Sequence, residues 1–102
     1  MVESISKEVS IWLNKQLDRG CAIVKMDTDL WLIAKDTYCA FVQVDGARIT
    51  ISDHEDKRSS RICTIEYKRK SFGGYNVITN NYRNPNRFVK ELATKLGKLR
   101  NA

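Results

Sequence analysis

Proline occurs once, histidine once, and the 102 residues hold only five glycines and three cysteines. A chain so poor in Pro and Gly is neither a flexible linker nor a collagen-like repeat. No apolar run approaches the roughly 18–20 residues that a membrane-spanning helix needs. The opening segment, Met1-Val2-Glu3-Ser4-Ile5, has neither a basic n-region nor a continuous apolar core, so no secretory leader is expected. What is present is ordinary: 42% of residues are hydrophobic and 29% charged, enough to build one core. The expectation is a single domain over residues 1–102, without repeats or linkers, in a soluble and cytoplasmic protein.

Cys21, Cys39 and Cys63 form an odd set with no CxxC pair, and His54 lies nine positions from the nearest of them. A structural zinc site needs four thiolate or imidazole ligands, usually in close pairs, and that spacing is missing. The three are therefore read as buried, reduced thiols that pack as small hydrophobes. No metal and no cofactor is expected.

Charge is distributed unevenly. Residues 1–50 carry six basic and seven acidic side chains, whereas residues 51–102 carry twelve basic and five acidic ones. The surplus of the whole chain, +6, thus comes from the second half. Such asymmetry is the footprint of a surface that meets phosphate or another acidic partner.

Ile5, Val9, Trp12, Leu13 and Leu17 repeat at helical spacing, with Ser4 as N-cap and Gly20 as the residue past the end. A first helix over 5–19 follows, its Trp-bearing stripe assigned to the core. The pattern then turns β-rich at 21–26, 30–35, 38–44 and 47–53, separated by short polar turns. Asp45-Gly46 reads as a two-residue type I′ turn, which sets Val44 opposite Ala47, Val42 opposite Ile49 and Ala40 opposite Ile51. Those six side chains share the core face. The strand 30–35 is apolar on both faces, as in a strand covered on both sides or lying centrally. Strands at 61–68 and 75–79 follow. Asn84 as N-cap and Pro85 as first residue open a second helix over 85–100, striped by Phe88, Val89, Leu92, Leu96 and Leu99. The fold class is α+β: an N-terminal helix, a five- to six-stranded antiparallel meander and a C-terminal helix, packed as a two-layer sandwich.

Two constellations could carry chemistry. Asp53 with Glu66-Tyr67-Lys68 has the residue types of a D…ExK nuclease site and is similar to that family's pattern. If a hairpin joins their strands, however, the two carboxylates stand roughly 20 Å apart, too far to share a metal. Lys70-Ser71-Phe72-Gly73-Gly74-Tyr75-Asn76-Val77 resembles the aromatic strand motif of RNA-recognition domains, departing from it at Ser71 and by an extra Gly. That resemblance implies cations on phosphates and rings against bases. The order of elements does not match the βαββαβ of those domains.

The leading expectation is a small non-enzymatic nucleic-acid-binding or regulatory protein. Lys57, Arg58, Arg61, Lys68, Arg69, Lys70, Arg83 and Arg87 would meet phosphates, with Phe72 and Tyr75 stacking on bases. The alternative is a protein-interaction module, an inhibitor or adaptor such as viruses and mobile elements carry. It would dock an acidic or other protein partner through an exposed sheet face holding Phe41, Arg48 and Thr50, or through an edge strand that could also form a homodimer. A metal-dependent nuclease ranks third.

Overall fold

The computed structural model describes residues 4–53 and 60–100. Helix α1 (Ser6–Lys15) tightens into a 3-10 turn at Gln16–Arg19. Six strands follow: β1 (Ala22–Asp27), β2 (Leu30–Lys35), β3 (Tyr38–Asp45), β4 (Arg48–Ser52), β5 (Arg61–Arg69) and β6 (Tyr75–Asn81). They pair in chain order as one antiparallel sheet with β1 and β6 at its edges, and helix α2 (Arg87–Leu96) comes last. The α+β expectation of helix, meander, helix holds.

Both helices press their apolar stripes on the same face of the sheet. Ile5, Val9 and Leu13 of the first segment and Val89, Leu92 and Leu96 of α2 join one core with Trp31, Ile33, Ala40, Val42, Val44, Ile49, Ile51, Cys63, Ile65 and Tyr67. Period-two alternation puts every second strand residue on that face, and burying each Leu or Ile contributes about 1.5–3 kcal/mol. Leu17, assigned to the helical stripe, is instead exposed, and Gln16 is buried in its place. The 3-10 turn is the cause: with three residues per turn it rotates the stripe, and the Gln16 Nε2 donates to the Trp12 carbonyl at 3.1 Å. Trp12 itself is only half-buried.

The β3–β4 hairpin forms two residues away from its expected pairing. Asp45 pairs with Arg48, Val44 with Ile49 and Val42 with Ile51, so the turn residues are Gly46 and Ala47. Gly46 has φ 61° while Ala47 is not among the positive-φ residues, the signature of a type II′ rather than a type I′ turn. Gly46 supplies the left-handed residue at the first central position, which frees Ala47 to point into the core. A slip of two preserves the faces, and all six residues assigned to the core are buried.

The helix ends differ from expectation as well. Ile5, not Ser4, precedes the first turn of α1; the Ser4 hydroxyl accepts from the Ser6 amide at 3.2 Å. Asn86, not Asn84, caps α2, its side-chain oxygen accepting from the Val89 amide at 2.9 Å, so Pro85 lies before the cap. The helix stops at Leu96 rather than at 100. There the Tyr67 hydroxyl donates to the Leu96 carbonyl and accepts from the Leu99 amide at 3.0 Å, satisfying groups that a continued helix would have paired.

Turns after β1, β3 and β5 lie along one strand-end edge of the sheet, and connections after β2, β4 and β6 along the opposite strand-end edge. The Ile5 amide donates to the Gly46 carbonyl at 3.1 Å, which starts α1 at the first edge. Arg100 ends the described chain at that same edge. Its guanidinium reaches Glu8 Oε1 at 2.6 Å, the Ser4 carbonyl at 3.2 Å and the Tyr75 hydroxyl at 3.0 Å.

Candidate functional site

The face of the sheet opposite the helices carries no described element. Its residues follow from the register. Val24 pairs with Leu32 and Leu32 with Phe41; Ala22 pairs with Ala34 and Ala34 with Cys39; Leu30 meets Gln43. Asp27 pairs with Leu30 at the end of β1, after an irregularity that leaves Met26 outside the register. The β1–β3 half is therefore a predominantly apolar surface, bordered by Asp27 and Gln43, with Val24 50% and Met26 41% exposed on β1. Leu30, Leu32, Ala34 and Phe41 are half-buried by their neighbours, and Cys39 is exposed.

The β4–β6 half is polar. Thr50 pairs with Thr64 and Thr64 with Asn80; Arg48 faces Glu66, whose other neighbour is Ile78. Arg48 Nη2 stands 2.8 Å from Glu66 Oε2, and Lys68 Nζ 3.6 Å from Glu66 Oε1. The Arg48 hydrogen bond holds the Glu66 carboxyl below its ordinary value, and the same bond raises Arg48. Of the three residues expected on an exposed face, Arg48 is exposed, Phe41 half-buried and Thr50 buried, because the flanking strands shield its short side chain.

The expected phosphate-binding cations fall into separate groups. Lys68, Arg69 and Lys70 sit at the β5–β6 hairpin on the first edge, with Phe72 fully exposed at its tip. Arg61 and Arg83 lie at the far end of the same strands, about eight residues or roughly 26 Å away. Arg61 stacks on the Tyr82 ring at 3.8 Å, and Arg83 pairs with Asp53 at 2.7 Å and donates to the Ser60 carbonyl at 3.0 Å. Arg87 opens α2 and pairs with Glu91 at 3.4 Å. Lys57 and Arg58 lie outside the described residues. The structure thus brings 68–72 together and sets Arg61 with Arg83, but it does not join the two groups.

Tyr75 is half-buried on the helix-covered face rather than displayed. Its ring meets Tyr67 edge-on at 6.0 Å, and the Arg100 and Arg69 guanidinium carbons lie 5.1 Å and 5.9 Å from its centre. Arg100 stands past the end of α2. Its partner Glu8 is 92 positions away, and no local pattern signals such a contact.

Asp53 and Glu66 lie at opposite ends of the β4–β5 pair, as the hairpin argument expects. The Asp53 amide bonds the Ser60 carbonyl, while Glu66 stands opposite Arg48. Among the described residues no cluster of His, Cys, Asp and Glu could hold a metal ion. The cysteines depart from the expectation of three buried thiols. Cys63 is buried and pushed up to about 11 by desolvation, Cys21 is half-buried and Cys39 is exposed on the open face. No described helix is long and apolar enough to cross a membrane.

No family model, no curated protein and no solved structure matches this chain.

Proposed function

We propose that the protein is a protein-interaction module that docks a polypeptide partner on the β1–β3 half of its open sheet face. One observation carries this reading. Strand β2 is apolar on both sides, yet only the Trp31 and Ile33 side is covered by described elements, leaving Leu30, Leu32 and Ala34 on the other. A contiguous apolar surface in water is the usual mark of a partner site. The partner presents a matching apolar surface, so its binding tolerates salt. Three free thiols suit a reducing, cytoplasmic setting for it.

A second reading, nucleic-acid binding, has its own support. Phe72 is fully exposed beside Lys70 on a cationic hairpin, an arrangement that suits phosphate contacts with base stacking. Its weak point is local neutralisation: Lys68, Arg83 and Arg87 each have a carboxylate partner.

Affinity capture from nuclease-treated extract separates the two, with Leu32→Ser/Phe41→Ser and Arg69→Glu/Lys70→Glu as paired variants. The docking reading expects one identified protein to survive nuclease and salt, to be lost with the first pair and kept with the second. Loss with nuclease and with the second pair instead establishes nucleic acid as the ligand. Self-association abolished by the first pair would name a second copy of this chain as the occupant.

A further inference from the structure

The helix-covered side of the sheet is not sealed where α1, β2 and α2 converge. A cleft of about 110 Å³ opens there, floored by Ile33 and Leu92 and walled by Trp12 and Phe88. It adjoins a second recess of about 390 Å³, with which it shares Lys35, Phe88 and Glu91. The Tyr38 and Phe88 rings stack at 5.9 Å with an interplanar angle of 18° along this junction. Three half-exposed aromatic rings therefore border one opening, which the periodicity of the first helix had assigned to closed core.

The charge at the rim has one sign in excess. Arg19, Lys35, Arg87 and Lys95 line the two recesses, against Asp36 and Glu91. Arg87 takes up Glu91 at 3.4 Å. Among the described residues, Arg19, Lys35 and Lys95 form no ion pair. Apolar floor, flat aromatic walls and uncompensated cations at the mouth are complementary to one kind of molecule. A ring entering the cleft gains area burial against Trp12 and Phe88, while an attached anion meets the lysines. The inner space is of the order that accepts a single six-membered ring; an apolar cavity of about 150 Å³ holds benzene. The outer recess leaves room for the anionic group and its hydration.

From this we infer that the cleft between α1, β2 and α2 is a binding site for a small planar aromatic anion. The site is independent of the open sheet face, so its occupancy and partner docking can be measured apart.

The test uses the full chain and the Trp12 indole N–H resonance, which reports on the cleft wall. Phenyl phosphate and salicylate serve as aromatic phosphate and aromatic carboxylate, with phenol and inorganic phosphate as halves of the first. The expected result is a saturable shift at Trp12 with one aromatic anion, at least tenfold tighter than with either half. Which anion wins names the head group. Lys35→Ala/Lys95→Ala weakens that binding by about tenfold, as two rim charges would, without moving the thermal midpoint. Phe88→Leu, which keeps an apolar side chain but removes the flat wall, weakens the aromatic arms and not phosphate. No saturable shift with either anion up to about 5 mM, near the weakest affinity worth measuring, overturns the proposal. Unchanged affinity in the folded double-lysine variant overturns it equally.

Discussion

The two sides of strand β2 are nearly equal in hydrophobic content and opposite in circumstance. Trp31 and Ile33 lie under the helices, at 4% and 1% exposure, while Leu30, Leu32 and Ala34 face outward and keep part of their surface in water. The contrast shows that a residue pattern states how much burial a strand calls for, not which layer supplies it. In β4 and β5 the outward positions are instead mostly polar: Thr50, Thr64, Glu66 and Lys68, beside the buried Ser52 and Ile62. The asymmetry within one face is what supports the proposal of docking on β1–β3.

The strongest way to sharpen this comparison is to shorten neighbouring side chains of β2. Ile33→Ala should cost about 2–4 kcal/mol of unfolding free energy, because it empties a closed core. Leu32→Ala, one residue away, should cost under about 1 kcal/mol, since much of its surface is already wet. Urea titrations of both variants measure the difference, and equal losses would mean that the outward side is covered too.

A smaller effect isolates the clamp that holds the helical layer together. Arg100→Ala should destabilise by about 1.5–3 kcal/mol, the range for hydrogen bonds to charged groups. It takes the guanidinium away from Glu8 and removes one of the donors to the Tyr75 hydroxyl. Capture through Leu32 and Phe41 should be unaffected at temperatures where the variant is folded. The clamp also has a pH signature. Burial works to raise the Glu8 carboxyl, but the Arg100 hydrogen bond and charge outweigh it and hold the group below its ordinary 4.5. Its contribution is therefore complete above that value and fades as acid carries the solution through the lower folded value.

The smallest effect belongs to the polar half of the open face. Glu66 is held low by Arg48, so the pair likewise contributes fully above the ordinary carboxylate range and loses this as pH falls through the lower folded value. Glu66→Gln should cost under about 1 kcal/mol at neutral pH, as exposed pairs do, and nothing once Glu66 would be protonated. Melting temperatures measured from pH 7 downward check the sign: a gap between wild type and variant at pH 7 that narrows as acid is added.

Much of this architecture could be read from residue order. Alternation in 38–44 and 47–53 assigned Ala40, Val42, Val44, Ala47, Ile49 and Ile51 to the core, and the two-residue slip of the hairpin left that assignment intact. What escaped was decided by competition between neighbours. Asp45-Gly46 and Gly46-Ala47 both allow a tight turn, and the choice fell to the pair that sends Ala47 inward. Asn84 and Asn86 both could cap, and Asn86 reached the Val89 amide. The candidate site was less legible, because exposure depends on which partners fold across a surface. Cations adjacent in sequence at 68–70 stay together, but those at 61 and 83 meet Tyr82 and Asp53 instead. The open apolar face left one trace in the sequence, the two-sided hydrophobicity of 30–34.

The contact of Arg100 with the Ser4 carbonyl gives the molecule a topological freedom of its own. The Arg100 guanidinium touches the Ser4 carbonyl, so residues 4 and 100 stand within one side-chain length, and a short peptide could join them and a new opening be cut elsewhere. Opening such a permutant at Ser71, on the cationic hairpin, would separate Lys70 from Phe72 while leaving both sides of β2 as they are.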